Sequence, residues 1–204
     1  MSSKSTKDPK EDNFFGTSII LYLILAAITF LFAGVMGAYM YNRFTVTLPP
    51  IHIPNLFYLS TVVILAVSYL CQRVLTFFDK GDFAKLNNYW IYILIGLFIF
   101  GLMQYFGWNE LIRSGYPASS NNSIGYLFAL SALHLIHILG GLPFHLKENW
   151  RHYLIKKKDD FAALEYLSQQ SNRERLLLIC KYWHYLDILW LVLMIFFGIN
   201  AIWT

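Results

Sequence analysis

The chain has 204 residues, of which 57% are hydrophobic and only 14% charged, and its mean hydropathy is +0.47. This excludes a water-soluble globule, because the charge is too sparse to cover one and the apolar area too large to bury inside it. A net charge of +4 would point to nucleic acid only if basic residues shared a face with base-stacking aromatics. Here they gather between apolar stretches, and nucleic acid is not an expected partner.

Residues 1–16 form a polar leader of mixed charge, and the apolar stretch that follows has no small-residue cleavage site, so no cleaved signal peptide is expected. A bilayer core of about 30 Å takes roughly 20 apolar residues at about 1.5 Å each. Five stretches qualify, at 17–41, 54–75, 89–108, 123–144 and 182–203. Their apolar runs are continuous rather than alternating, and every amide in lipid needs a partner within its own segment. The expected fold is therefore an all-α integral membrane protein, with residues 17–204 forming a single five-helix bundle.

The basic residues set the orientation. The leader carries Lys4, Lys7 and Lys10, the second loop Arg73, Lys80 and Lys85, and the fourth loop eight more, against only Arg43 and Arg113 on the other side. Cytoplasmic loops retain Lys and Arg, which places the N-terminus inside and the C-terminus outside. Trp90, Trp150 and Trp183 fall near inner helix ends, and Trp108 and Trp203 near outer ones, where indoles suit the headgroup level. The long cytoplasmic connection, about 147–181, carries Phe161, Leu164 and Leu167 at helical spacing beside Lys156, Lys157 and Lys158. It is read as a surface helix, lying either near anionic lipid or against a partner.

Within the spans, small residues line the first helix at Ala26, Ala33, Gly34, Gly37 and Ala38, a pattern that lets another helix approach closely. In the fourth, Ser131, His134, His137, Gly141 and His145 share an arc of about 120°. Imidazoles on a lipid-facing surface are costly, so this stripe should face protein. His134 and His137 offer two ligands for a metal, but neither C-x-x-C-H nor a Cys, Met and carboxylate cluster accompanies them. Hydrogen-bonded helix packing is the expectation, with ligation the alternative. Cys71 and Cys180, 109 positions apart, are expected as free thiols.

The fifth span opens with Tyr182, Trp183, His184, Tyr185, Leu186 and Asp187, the last being the sole acidic residue inside any span. His184 and Asp187 are three apart, so a charge-assisted bond between them is expected to clamp the carboxylate. A proton relay is the alternative, although only Trp190 and Asn200 follow along this helix. Gln104 and Trp108 end the third span.

Two runs carry a family resemblance. One is His134-Leu-Ile-His137 with Gly140 and Gly141, and the other runs from Tyr182, Trp183 and His184 through Asp187 to Trp190. Both resemble elements of subunit III of the haem–copper oxidases in its short five-helix bacterial form. Weaker matches lie at Phe32, Ala33, Gly34, Gly37, Ala38 and Tyr39, at Ser60, Thr61 and Ser68, and at Gln104, Trp108 and Gly115. The chain departs from the family at Ile28, where members often carry a buried glutamate, and in length from the longer members, which begin with two additional helices whose wall is expected to be missing here or supplied by another subunit.

The resemblance implies a subunit with no catalytic residue, metal ligand or cofactor of its own, with haem and copper held by partner subunits. It implies binding to catalytic subunit I and other oxidase subunits, with a larger respiratory supercomplex within its scope. It further implies bound phospholipid, support of proton uptake and residence in a bacterial inner membrane. The complex would be a proton-pumping cytochrome c oxidase of aerobic respiratory electron transport, with a quinol oxidase as alternative. A self-sufficient haem-binding cytochrome is the alternative of a different class, and a small transporter lacks its inverted repeat and broken helices.

Overall fold

The computed structural model describes residues 9–45 and 52–202, so most of the leader, the 46–51 connection and Trp203 lie outside the described residues. Six helices form: α1 Pro9–Thr45, α2 Asn55–Asp79, α3 Phe83–Arg113, α4 Asn122–Lys157, α5 Asp160–Ser168 and α6 Gln170–Ile202. All except α5 are long and apolar enough to cross a membrane.

Helix ends follow local chemistry. Asp82 caps α3 by accepting the Lys85 N–H at 3.0 Å, and Asn121 caps α4 by accepting that of Ile124 at 2.9 Å. The Lys85 amide, and then its ammonium, hold the Asp82 carboxyl below the usual carboxylate range. Gly81 (φ 73°) and Gly115 (φ 84°) end α2 and α3 in the left-handed conformation. The following amides of Asp82 and Tyr116 then return to the carbonyls of Phe77 and Leu111.

α2 and α3 pair most extensively, while α6 lies against α1, α2 and α4, and α3 meets α4. Close approach is set by glycine. A side chain at Gly107 would strike Phe57, one at Gly96 would strike Val67, and one at Gly141 would strike Tyr182 and Trp183. Basic residues of the α2–α3 and α4–α6 connections gather at one end of the bundle, opposite Arg43 and Arg113.

The helix read over Phe161, Leu164 and Leu167 is α5, while the connection around it is shorter than expected because α4 runs through Pro143 to Lys157 and α6 already starts at Gln170. Two further expectations change. Trp90 and Trp183 are fully buried among ring neighbours rather than set at the headgroup level, while Trp150 stays 64% exposed. The small-residue row of α1 packs against no helix of this chain among the described residues. Ala26, Ala33, Gly34, Gly37 and Ala38 are all exposed, with open space beside both glycines. The larger side chains Ile28, Phe32 and Tyr39 turn the opposite side of α1 to the bundle, since they bury more apolar and ring contact.

Candidate functional site

The polar residues within the bundle lie in successive layers between the helices. Toward the Arg43 end, Gln104 donates to Ser60 Oγ at 3.1 Å, Trp108 Nε1 to Ser131 Oγ at 3.0 Å and Trp190 Nε1 to Thr61 Oγ1 at 3.1 Å. Each hydroxyl donates its own proton back along its helix, Ser60 and Thr61 to the Phe57 carbonyl and Ser131 to that of Leu127. Each indole or amide therefore ties two helices without leaving the hydroxyl unsatisfied.

Deeper in, His134 is fully buried, with its ring 5.6 Å from Phe100 and 5.1 Å from Trp190. Neither of its ring nitrogens has a hydrogen-bond partner, contrary to the expectation that it bonds a neighbouring helix. Its aromatic surroundings hold it by ring contact instead. His137 turns toward α1, 5.7 Å from Phe32, and its Nδ1 donates to the Leu133 carbonyl at 2.7 Å. The two imidazoles thus face different helices. Tyr182 donates to the His137 carbonyl at 2.6 Å and packs over Gly141, whereas Gly140 is exposed.

The expected His184–Asp187 bond is absent. His184 Nδ1 pairs across the helix interface with Ser68 Oγ, and neither oxygen of buried Asp187 has a hydrogen-bond partner. The interhelical hydroxyl lies within reach of the ring and takes the nitrogen that an intrahelical bond would need. Cys71 and Cys180 are buried free thiols brought together by the α2–α6 contact, with Cys180 Sγ 3.7 Å from the Cys71 carbonyl. Below them, Trp90 and His145 stack at 4.2 Å with planes 4° apart. Each ring N–H donates to the other residue's carbonyl, at 3.1 Å from His145 and 3.3 Å from Trp90.

Sequence reasoning missed a further buried layer where α5 meets α4 and α6. Tyr166 donates to Glu148 at 2.7 Å, so His152 Nε2, 2.9 Å from the phenol oxygen, must donate to it. Arg175 contacts Glu148 at 3.2 Å, and both Arg151 and Arg175 donate to Asn172, whose amide donates to the Tyr166 carbonyl. Burial first, and then the Glu148 carboxylate, push the Tyr166 phenol well above its ordinary range. The signal available in sequence was the Glu148, Arg151 and His152 spacing on one helix face, hidden by the assumption that charges beyond a span are solvated. Tyr166 secures α5, while Phe161 and Leu164 remain exposed.

The arrangement suits helix locking: hydrogen bonds from Gln104, Trp108, Trp190, Tyr182 and His184 each join two helices, and no group of three or more His, Cys, Asp or Glu that could hold a metal ion is assembled among the described residues. No family model matches the chain. It is 28% identical over 136 residues, 65% of its length, to a protein of Mycobacterium leprae (strain TN) described as probable cytochrome c oxidase subunit 3, spanning 60% of that relative. It is 26% identical over 202 residues to cytochrome bo(3) ubiquinol oxidase subunit 3 of Buchnera aphidicola subsp. Acyrthosiphon pisum (strain APS), covering 98% of this chain and 93% of that relative. These relatives, at 26–28% identity, support the haem–copper oxidase subunit III family for this chain. The five apolar helices and these relatives support a multi-pass membrane protein, and the runs His134–Gly141 and Tyr182–Trp190 meet between α4 and α6, where Tyr182 bonds the His137 carbonyl and packs over Gly141.

Proposed function

We propose that this subunit III is a non-catalytic component of a terminal oxidase that reduces oxygen to water in a bacterial inner membrane. It binds the side of the catalytic subunit, which holds haem and copper, holds phospholipid and supports proton uptake from the inner side. The observation that carries this reading is the alignment of nearly the whole chain with a named oxidase subunit III. The basic end of the bundle supports an inner position for the α2–α3 and α4–α6 connections. The polar layers support a structural role, because most of their side chains bond from one helix to the next.

A cytochrome c oxidase is the first reading, in line with the mycobacterial relatives. A quinol oxidase is the second, favoured by the longer alignment with the bo(3) subunit. Affinity purification of a tagged chain from gently solubilised membranes tests the proposal. Co-purification of a haem-containing oxidase is expected, and recovery of the chain without one overturns it. Supplying the recovered oxidase with reduced cytochrome c or with quinol then separates the two readings.

A further inference from the structure

The chain has only two cysteines, and the fold brings them together across the α2–α6 interface although 109 positions separate them. The Cys180 thiol donates to the Cys71 carbonyl at 3.7 Å, so it reaches its counterpart's own backbone rather than a neighbour's. The two thiols also lie within hydrogen-bonding reach of each other. A second rung fixes the same register. Ser68 stands one turn before Cys71 on α2, His184 one turn after Cys180 on α6, and these two side chains are bonded to one another. The pairing of the cysteines therefore follows from how the helices pack and not from one side-chain rotation.

Both thiols are buried, and neither belongs to a group that could hold a metal ion among the described residues. They sit toward the basic end of the bundle. Cys180 lies just before the apolar stretch that opens at Tyr182, and exposed Lys181 and Gln72 adjoin the pair in sequence. A small uncharged oxidant reaches such a depth, whereas a bulky charged thiol reductant does not. On the oxidase-subunit reading, on which only this placement rests, the basic end faces a reducing compartment. The thiols then rest free, and a disulfide is a transient response to oxidant.

We propose that Cys71 and Cys180 form an oxidant-sensitive pair, which hydrogen peroxide closes into an intrachain disulfide strapping α2 to α6. One sulfur attacks a peroxide oxygen, the O–O bond breaks, and a sulfenic acid forms while the thiol proton leaves with the displaced oxygen as water. The second sulfur then displaces the sulfenic oxygen, which takes the second thiol proton and leaves as another water. Two electrons pass from the sulfurs to peroxide, giving one S–S bond and two waters. The bond closes a loop that contains α3, α4 and α5, so it restricts the unfolded chain and holds the α2–α6 interface shut.

The test treats membranes carrying the full chain with hydrogen peroxide, denatures them in iodoacetamide and digests the chain for mass spectrometry. The expected result is loss of both alkyl labels and a Cys71 peptide joined to the Cys180 peptide. The joined species should be two hydrogen masses lighter than the sum of its parts and should separate in dithiothreitol. Cys71→Ser and Cys180→Ser should each abolish it while leaving recovery with the oxidase unchanged. Two alkylated thiols after peroxide, a sulfinic acid at either position without the joined peptide, or bonds between two copies of the chain would each overturn the pair. The readout lies within this chain, so its failure leaves the subunit assignment standing; that assignment fails only if the untreated chain is recovered without an oxidase.

Discussion

α1 and α6 are both long apolar helices, yet they stand in opposite environments. α6 contacts three other spans and buries Trp183, Asp187, Trp190 and Phe197, whereas the α1 span buries only Ile28, Phe32 and Tyr39 among its described side chains. α1 is attached by a few polar ties, from Arg43 to the Asn200 carbonyl, Asn42 to Tyr126, Thr29 to Tyr185 and Lys181 to Tyr22. Both helices are long and apolar enough to cross a membrane, and that property alone does not say whether lipid or protein replaces the water around each face. Packing is decided by shape: the Tyr182 and Trp183 rings of α6 seat over Gly141 of α4, while α1 keeps its small residues on the outside.

The largest effect is expected from truncating α6 at its centre. Trp190→Ala should lower stability by about 3–5 kcal/mol, since it empties the space between Phe57, Phe100 and His134 and frees Thr61. Phe30→Ala on α1, 78% exposed, should change it by less than about 0.5 kcal/mol. Denaturant titration of the detergent-solubilised chain, followed by circular dichroism, measures both, and similar losses would erase the distinction between the helices.

Glycines sharpen the same contrast. Gly141→Ala forces a methyl against Tyr182 and Trp183 and is expected to cost about 1–3 kcal/mol. Gly37→Ala meets open space and should be neutral or stabilising by up to about 1 kcal/mol through helix propensity. If the exposed face of α1 meets a partner subunit, Gly37→Leu will spare the isolated chain and still weaken its recovery with the oxidase; unchanged recovery would assign that face to lipid.

Tyr166→Phe removes the hydroxyl shared by Glu148 and His152, leaving both side chains buried with one partner fewer. A loss of about 1–3 kcal/mol is expected, seen first as faster protease cleavage around α5. An unchanged cleavage rate would mean that α5 is held by other contacts.

The spans were legible in the sequence because charges interrupt the apolar runs, and so was the inward orientation of His134 and His145, because three- and four-residue spacings fix a helical face. The Glu148–Tyr166 layer was not legible, since charge beyond a span reads as exposed and its partner lies 18 positions away across a turn. His184 shows the same limit at shorter range. Its nearest carboxylate in sequence is Asp187, but the interhelical partner Ser68 lies 116 positions away. The burial of Trp90 and Trp183 likewise depends on which side of each helix meets a neighbour, which an indole's usual preference for membrane interfaces does not determine.

Among the buried positions the smallest effect is expected at His134, and it bears on the central claim that imidazoles inside this bundle serve packing rather than electron transfer. Its ring nitrogens make no hydrogen bond, so His134→Phe removes no bond within the chain and should change stability by less than about 1 kcal/mol. The most direct measurement is the visible spectrum and the iron and copper content of the isolated chain, compared with those of its His134→Phe variant. The account predicts no Soret band and only trace metal in either protein. A stoichiometric metal, or a Soret band that is lost on changing His134, would contradict it.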